Sequence, residues 1–275
     1  MTARAGFTIA RGVPSSETSL QLPLTQRLKL IRQRIYAALG VGGEVVVRLE
    51  KTPEGLFAVA EGQRIRIPSP LRWKLYRKGW RARLDRLEAE YGVPRHAGLG
   101  ANSLVLDIGA NAGEFAHVCG RYGAKVICFE PDPLVFECLK TNIAALSNAR
   151  AEDIVIWKED GEIDFGLAPE RADSSVFVQS ASRVKKRAIT IASYLREHSI
   201  ERVDLVKCDA EGAEPEVLEG ARGAFDKIAA FALDTGAERM GERTNEACAA
   251  ILSAAGYRII EEKVGTRLMT YAVCG

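Results

Sequence analysis

The chain has 275 residues, 47% apolar and 27% charged, with a net charge of +2, a globular composition that suits one large α/β domain or one domain with a smaller attachment. No apolar run approaches the roughly 20 residues of a membrane helix, and "MTARAGFTIARGVPSSETS" lacks the apolar core of a signal peptide, so a cytoplasmic protein is expected. Charge is uneven: residues 1–100 hold 18 Lys/Arg and 8 Asp/Glu, whereas the other 175 hold 20 and 28, a basic front on an acidic body.

Residues 1–24 are polar and aperiodic, which predicts a flexible arm. "TQRLKLIRQRIYAALG" (25–40) alternates basic and apolar residues at helical spacing and stops at Gly40. Three strand-like pieces follow, at 44–50, 56–60 and 63–68, separated by the turns "KTPEG" and "EG". A basic helix is predicted over 69–92, opened by Ser69 and Pro70 and weakened by Gly79. Together, 25–98 read as a small basic α+β region ahead of a main domain at 99–275.

From residue 103 strands and helices alternate. Strands are predicted at 103–108, 125–130, 153–157, 203–208, 228–233, 257–262 and 267–274, and helices near 113–122, 133–146, 190–199, 214–221 and 242–255. Apolar strands alternating with helices imply an α/β fold with a mostly parallel sheet covered on both faces. The last two strands are joined by only "KVGT", too short for a parallel crossover, so the seven-stranded sheet ends in an antiparallel hairpin. The six cysteines show no zinc or redox spacing and read as free, mostly buried thiols, so no metal site is expected from them.

The first strand ends in "LVLDIGANAGEF" (104–115) and the second in "KVICFEPDP" (125–133). Gly109 permits a tight turn and close backbone approach, Gly113 lets the next helix start near the strand, and the free N–H groups there favour a polar ligand group. Glu130, at the tip of the second strand, is placed to accept hydrogen bonds from both ribose hydroxyls. Dinucleotides and S-adenosylmethionine share that requirement. The dinucleotide fingerprint needs a glycine where Asn111 stands, and there is no ATP-type phosphate loop. Asp107 would repel pyrophosphate but suits a ligand with an amino group and a sulfonium.

These residues, with "VDLVKCDAEGAEPEVLEGA" about 100 positions later, resemble the FkbM family of S-adenosylmethionine-dependent methyltransferases across roughly 100–262. The resemblance implies a class I, Rossmann-like methyltransferase fold, S-adenosyl-L-methionine as cofactor, and O-methylation of a small molecule or glycan: a sugar, glycolipid or polyketide. It places Asp107, Gly109, Ala110, Asn111 and Gly113 along the methionine part, Glu130 on the ribose, Pro131 and Asp132 beside the adenosine, and Trp157, with Ile156 and Asp160, near the adenine.

Methyl transfer to an alcohol requires a positioned oxygen and a group that takes its proton. Asp209 and Glu211, in "KCDAEGAE", are the leading pair for catalysis, and Asp209 also borders the cofactor. Glu214 reads as a helix-start carboxylate. Ser174, Ser175, Asp234 and His96 are candidate acceptor-side residues, His96 also as a reserve base. His117 reads as structural and His198 as exposed. Asp209 and Asp234, on neighbouring strand tips, resemble metal carboxylates of catechol-type O-methyltransferases, and would suit magnesium or calcium, but the family resemblance requires no metal.

Arg64, Arg66, Arg72, Lys74, Arg77, Lys78, Arg81 and Arg83 raise an alternative, an RNA methyltransferase recruited through the basic region. The chain lacks the Asn/Asp-Pro-Pro-Tyr and Pro-Cys motifs of base methylation, and Trp73, Tyr76 and Trp80 suggest a face packed on the body, so nucleic acid is the weaker expectation. A non-catalytic cofactor-binding assembly partner is the third reading. The acceptor and oligomeric state are not legible.

Overall fold

The computed structural model describes residues 22–168, 170, 174–178 and 180–275. The arm expected over 1–24 therefore lies outside the described residues as far as residue 21, and its end, Leu24, already begins a helix.

Helix α1 (Leu24–Ala38) leads through a short 3-10 turn to an antiparallel meander of β1 (Val47–Thr52), β2 (Gly55–Ala60) and β3 (Gln63–Arg66). Leu30 of α1, Leu49, Ala58, Ile65, Trp73 and Tyr76 form a core for this part. The expected helix over 69–92 is two pieces. Ser69 caps a 3-10 turn, Pro70–Tyr76, by accepting from the Leu71 amide at 3.2 Å. Gly79 then takes φ +96° and ψ 165°, and α2 (Trp80–Glu90) starts anew. Glu61 replaces the missing cap by accepting from the Trp80 amide at 2.9 Å.

The main sheet holds β4 (Leu104–Ile108), β5 (Lys125–Phe129), β6 (Ala149–Glu152), β10 (Leu205–Cys208), β11 (Ala230–Asp234), β12 (Tyr257–Val264) and β13 (Arg267–Cys274) in the order β12-β13-β11-β10-β4-β5-β6. All neighbours are parallel except β13, antiparallel to both β11 and β12. The predicted closing hairpin is thus present. Near-continuous burial along β4, β5, β10 and β11 matches strands covered on both faces. Between them run α3 (Glu114–Arg121), α4 (Pro133–Ile143), α5 (Ile191–Glu197), α6 (Glu214–Glu219) and α7 (Asn245–Ala254).

The third sheet strand lies elsewhere than predicted. "ARAE" at β6 is a half-exposed edge strand that needs no apolar run. The apolar 153–157 instead contributes β7 (Val155–Ile156) to a small second sheet with β8 (Gly161–Gly166) and β9 (Arg183–Ile189), for which "RVKKRAI" gave no apolar signal. The order reverses at β4: the chain crosses to β5 on one side and later to β10 on the other. Their carboxyl ends form the crevice where open α/β sheets bind ligands. Five cysteines are buried and Cys274 is exposed, all as free thiols. No helix among the described residues is long and apolar enough to cross a membrane.

Candidate active site

The loop after β4 is held by its own backbone. Gly109 and Ala110 amides donate to the Phe129 carbonyl at 3.1 and 3.0 Å, tying the loop to the tip of β5. Gly109 has φ +68°, and a Cβ there would stand 1.9 Å from the Asp209 carbonyl oxygen. The close approach that requires a glycine here is to the β10 loop. Asn111 has φ +53°, a left-handed conformation that Asn tolerates better than most residues. Its Oδ1 accepts from the Ala112 amide at 2.8 Å and from Arg72 at 3.0 Å. Gly113 (φ +89°) faces Ile143 and Leu139 of α4 at under 3 Å from its would-be Cβ, so it serves helix packing and lines neither cleft.

Two clefts open at the strand tips. The first, about 660 Å³, runs from Gly109 and Asn111 past Glu130 and Pro131 to Ile156, Trp157 and Ser174. The second, about 590 Å³, lies between the tips and the N-terminal elements, with Arg72, Arg83, Tyr91 and Arg267 in its wall. Gly109, Asn111, Asp209 and Glu211 border both. Ala110 faces the second cleft, not the first.

Glu130 is 7% exposed. Its Oε2 accepts from the Asn111 amide at 2.9 Å and its Oε1 from the Asp132 amide at 3.0 Å, so each oxygen keeps one lone-pair direction. Burial pushes its pKa up to about 7. Trp157 lines the first cleft, with its ring centroid 6.0 Å from that of Phe177.

Asp107 has a different neighbour from the one expected. It is fully buried, borders neither cleft, and pairs with the equally buried Lys207 Nζ at 2.8 Å. Lys207 also donates to the Gly109 carbonyl at 2.7 Å. Burial lowers the Lys207 pKa, but Asp107 and Asp209 outweigh that and raise it. The cation that Asp107 serves is thus a lysine on β10.

Asp209 is a weak base. Its Oδ2 accepts from the Tyr91 hydroxyl at 2.7 Å and from Arg267 at 2.8 Å. Burial would raise its pKa, yet Arg267 and Lys207 more than offset this and hold it well below the usual carboxylate range. Asp234 is 1% exposed, also pairs with Arg267, and borders neither cleft. The third carboxylate beside Asp209 and Glu211 is Glu238, with oxygens of all three within 4.8 Å of one another. Of these three, Asp209 pairs with Arg267, at 2.8 Å. Burial first, then Asp209 and Glu211, push Glu238 up to about 10.

Other expected residues are drawn into structural roles. Asp132 caps α4, accepting from Leu134 and Val135 amides at 2.9 and 3.2 Å, and takes the Ser174 hydroxyl at 2.6 Å. Ser174 thereby lines the first cleft. Ser175 is buried and accepts from the Val178 amide, closing a turn. His96 stacks on Tyr271 at 4.4 Å with Nε2 3.3 Å from Glu262, away from both clefts. Asp160 accepts from Thr190 and Ser193 at the start of α5. Glu214 braces the β10 loop, accepting from Ala210 and Gly212 amides. His117 packs edge-on against Trp80, and His198 is exposed.

Lys207, Tyr91 and Arg267 were not singled out from the sequence. A lysine inside the apolar "DLVKC" was a readable signal, since a charge mid-strand needs a partner. Tyr91 and Arg267 reach Asp209 across 118 and 58 positions, with no local pattern to announce them.

The strand order, with a carboxylate at the second tip and no pyrophosphate loop, defines a class I methyltransferase fold. The profile of the methyltransferase FkbM domain matches residues 107–259, and the chain belongs to that family, whose cofactor is S-adenosylmethionine. It is 30% identical over 161 residues to methyltransferase sdnD of Sordaria araneosa, covering 45% of this chain and 62% of that one. It is 28% identical over 144 residues to the 2-O-methyltransferase NoeI of Sinorhizobium fredii, covering 45% and 59%. It is also 28% identical over 133 residues to the hexuronic acid methyltransferase AglP of Haloferax volcanii, covering 46% and 53%. The matches thus span less than two thirds of each relative. Magnesium protoporphyrin IX methyltransferase of Synechocystis PCC 6803 is a distant structural likeness, 14% identical with a TM-score of 0.46 over 75% of this chain and 85% of that one.

Proposed function

We propose that the chain transfers a methyl group to a hydroxyl of a small molecule or glycan, with 99–275 holding the cofactor and 25–98 walling the acceptor cleft. The observation that carries this reading is the pair of clefts meeting at Asp209 and Glu211. The known relatives include a 2-O-methyltransferase and a hexuronic acid methyltransferase.

The first cleft suits S-adenosylmethionine, which supplies the methyl group. Glu130 has a lone pair on each oxygen for the ribose hydroxyls, and Trp157, Phe129 and Ile156 give an apolar wall for the adenine. Asp209 Oδ1 is a buried acceptor without a hydrogen-bond partner among the described residues. It takes over the role first given to Asp107, that of meeting the cationic amino group.

With Asp209 held ionised by Arg267, Glu211 is the better group to take the acceptor's proton, at its carboxylate oxygen. Tyr91 and Arg267 fix Asp209, and so the loop on which Glu211 stands. The RNA alternative loses support because three of its candidate cations turn into the protein: Arg66 bonds Thr141, Arg72 bonds Asn111 and Arg83 faces Glu114.

Turnover is tested by mass spectrometry for a one-methylene gain against sugars, uronic acids, glycolipids and polyketides. Removing a general base costs about 10²–10⁴-fold. Glu211→Gln should lower kcat by about that factor and leave cofactor affinity nearly intact. Unchanged kcat would remove Glu211 from the reaction.

A further inference from the structure

Helix α1 is buried along one line and apolar along the opposite one. Leu30 and Gln33 pack inward, 7% and 3% exposed, with the Gln33 amide bonded to the Val45 carbonyl. On the outward line stand Leu24, Leu28, Ile31, Ile35 and Leu39, exposed by 71, 56, 53, 51 and 69%. Their spacing of four, three, four and four keeps all five on one narrow stripe. Single exposed leucines need no explanation, but a continuous stripe of five does.

One flank of that stripe is basic. By helical position the exposed Lys29 and Arg32 lie along one side; on the other side Arg34 turns inward, its Nε donating to the Val47 carbonyl at 3.2 Å. No Asp or Glu occurs between Glu17 and Glu44. An apolar ridge beside a cationic margin is the pattern of a helix lying in a lipid headgroup layer, with apolar side chains among the acyl chains and Arg/Lys at anionic headgroups.

The charge also argues against two other occupants. A second copy would bring a cationic margin with no acidic residue against another of the same kind. The first 21 residues carry Arg4 and Arg11 against Glu17 alone, so they offer no acidic complement.

We propose that α1 is a lipid-docking helix that holds this protein against an anionic membrane surface. The stripe supplies burial and the flanking cations supply selectivity for anionic lipid. Nothing in the cofactor cleft is needed for this, so the inference stands apart from the catalytic reading.

The test is flotation of the full chain with phosphatidylcholine vesicles, alone or with phosphatidylglycerol at about 30%. The wild type should float with the anionic vesicles, weakly with neutral ones, and less at high salt. The triple variant Leu28→Ser, Ile31→Ser, Ile35→Ser should lose on the order of tenfold in vesicle affinity. Lys29→Glu with Arg32→Glu should remove the preference for anionic lipid. All these side chains are exposed, and unchanged melting and S-adenosylhomocysteine binding would show that the fold persists. Failure of the wild type to float, or equal flotation by the triple variant, overturns the proposal. So does a wild-type dimer that the triple variant dissolves without any vesicle binding, which would assign the stripe to a second copy.

Discussion

At the scale of single residues, the site is a chain of charges passed between strand tips. Asp107 holds Lys207, Lys207 lies near Asp209, and Asp209 and Asp234 share Arg267. Removing one member of a buried pair leaves an uncompensated charge, at a cost of about 3–5 kcal/mol. Lys207→Met should therefore destabilise the protein by about that much in denaturant unfolding, and adding Asp107→Asn should restore most of the loss. A double variant no more stable than Lys207→Met alone would show that the pair is not the unit. The sequence made Asp107 legible as a necessary carboxylate but misassigned its partner. A cation four residues into the distant "VDLVKCD" and a ligand's amino group are equivalent demands on an aspartate until the sheet places β4 beside β10.

At the scale of elements, periodicity and turn chemistry carried most of the fold. The parallel strands were readable because burial on both faces makes them continuously apolar. The closing hairpin followed from a linker too short for a crossover. The third strand was not readable, because apolar content marks burial and not sheet membership: "VI" is buried in the small second sheet while "ARAE" edges the large one. Gly79 gives a sign test of the same distinction. If it lay within a helix, Gly79→Ala would stabilise by about 1 kcal/mol. Its φ of +96° and ψ of 165°, with a Cβ 2.2 Å from Glu61 Oε2, predict the opposite. A loss of about 1–3 kcal/mol is expected, read as a lower melting temperature; a higher one would restore the single helix.

At the scale of the whole molecule, the N-terminal elements and the sheet close one cleft from two sides. Tyr91, at the end of α2, donates to Asp209 on the β10 loop, and Arg72 reaches Asn111 on the β4 loop. The basic front of the sequence was legible as a region, but its use was not. Several of its cations turn inward to the site, while Lys29 and Arg32 of α1 flank an outward apolar stripe.

The central claim is that the first cleft holds S-adenosylmethionine with Glu130 on the ribose. Calorimetric titration of the protein with S-adenosylhomocysteine tests it most directly. The ionised carboxylate is the form that accepts both hydroxyls, and the buried Glu130 titrates near 7. Affinity should therefore be full above that pH and fall below it as a proton must first be released, by up to about tenfold per pH unit. The account predicts saturable binding with this pH profile, and weaker, flatter binding by Glu130→Gln. Absence of binding by the wild type, or an affinity indifferent to both pH and Glu130→Gln, would contradict it.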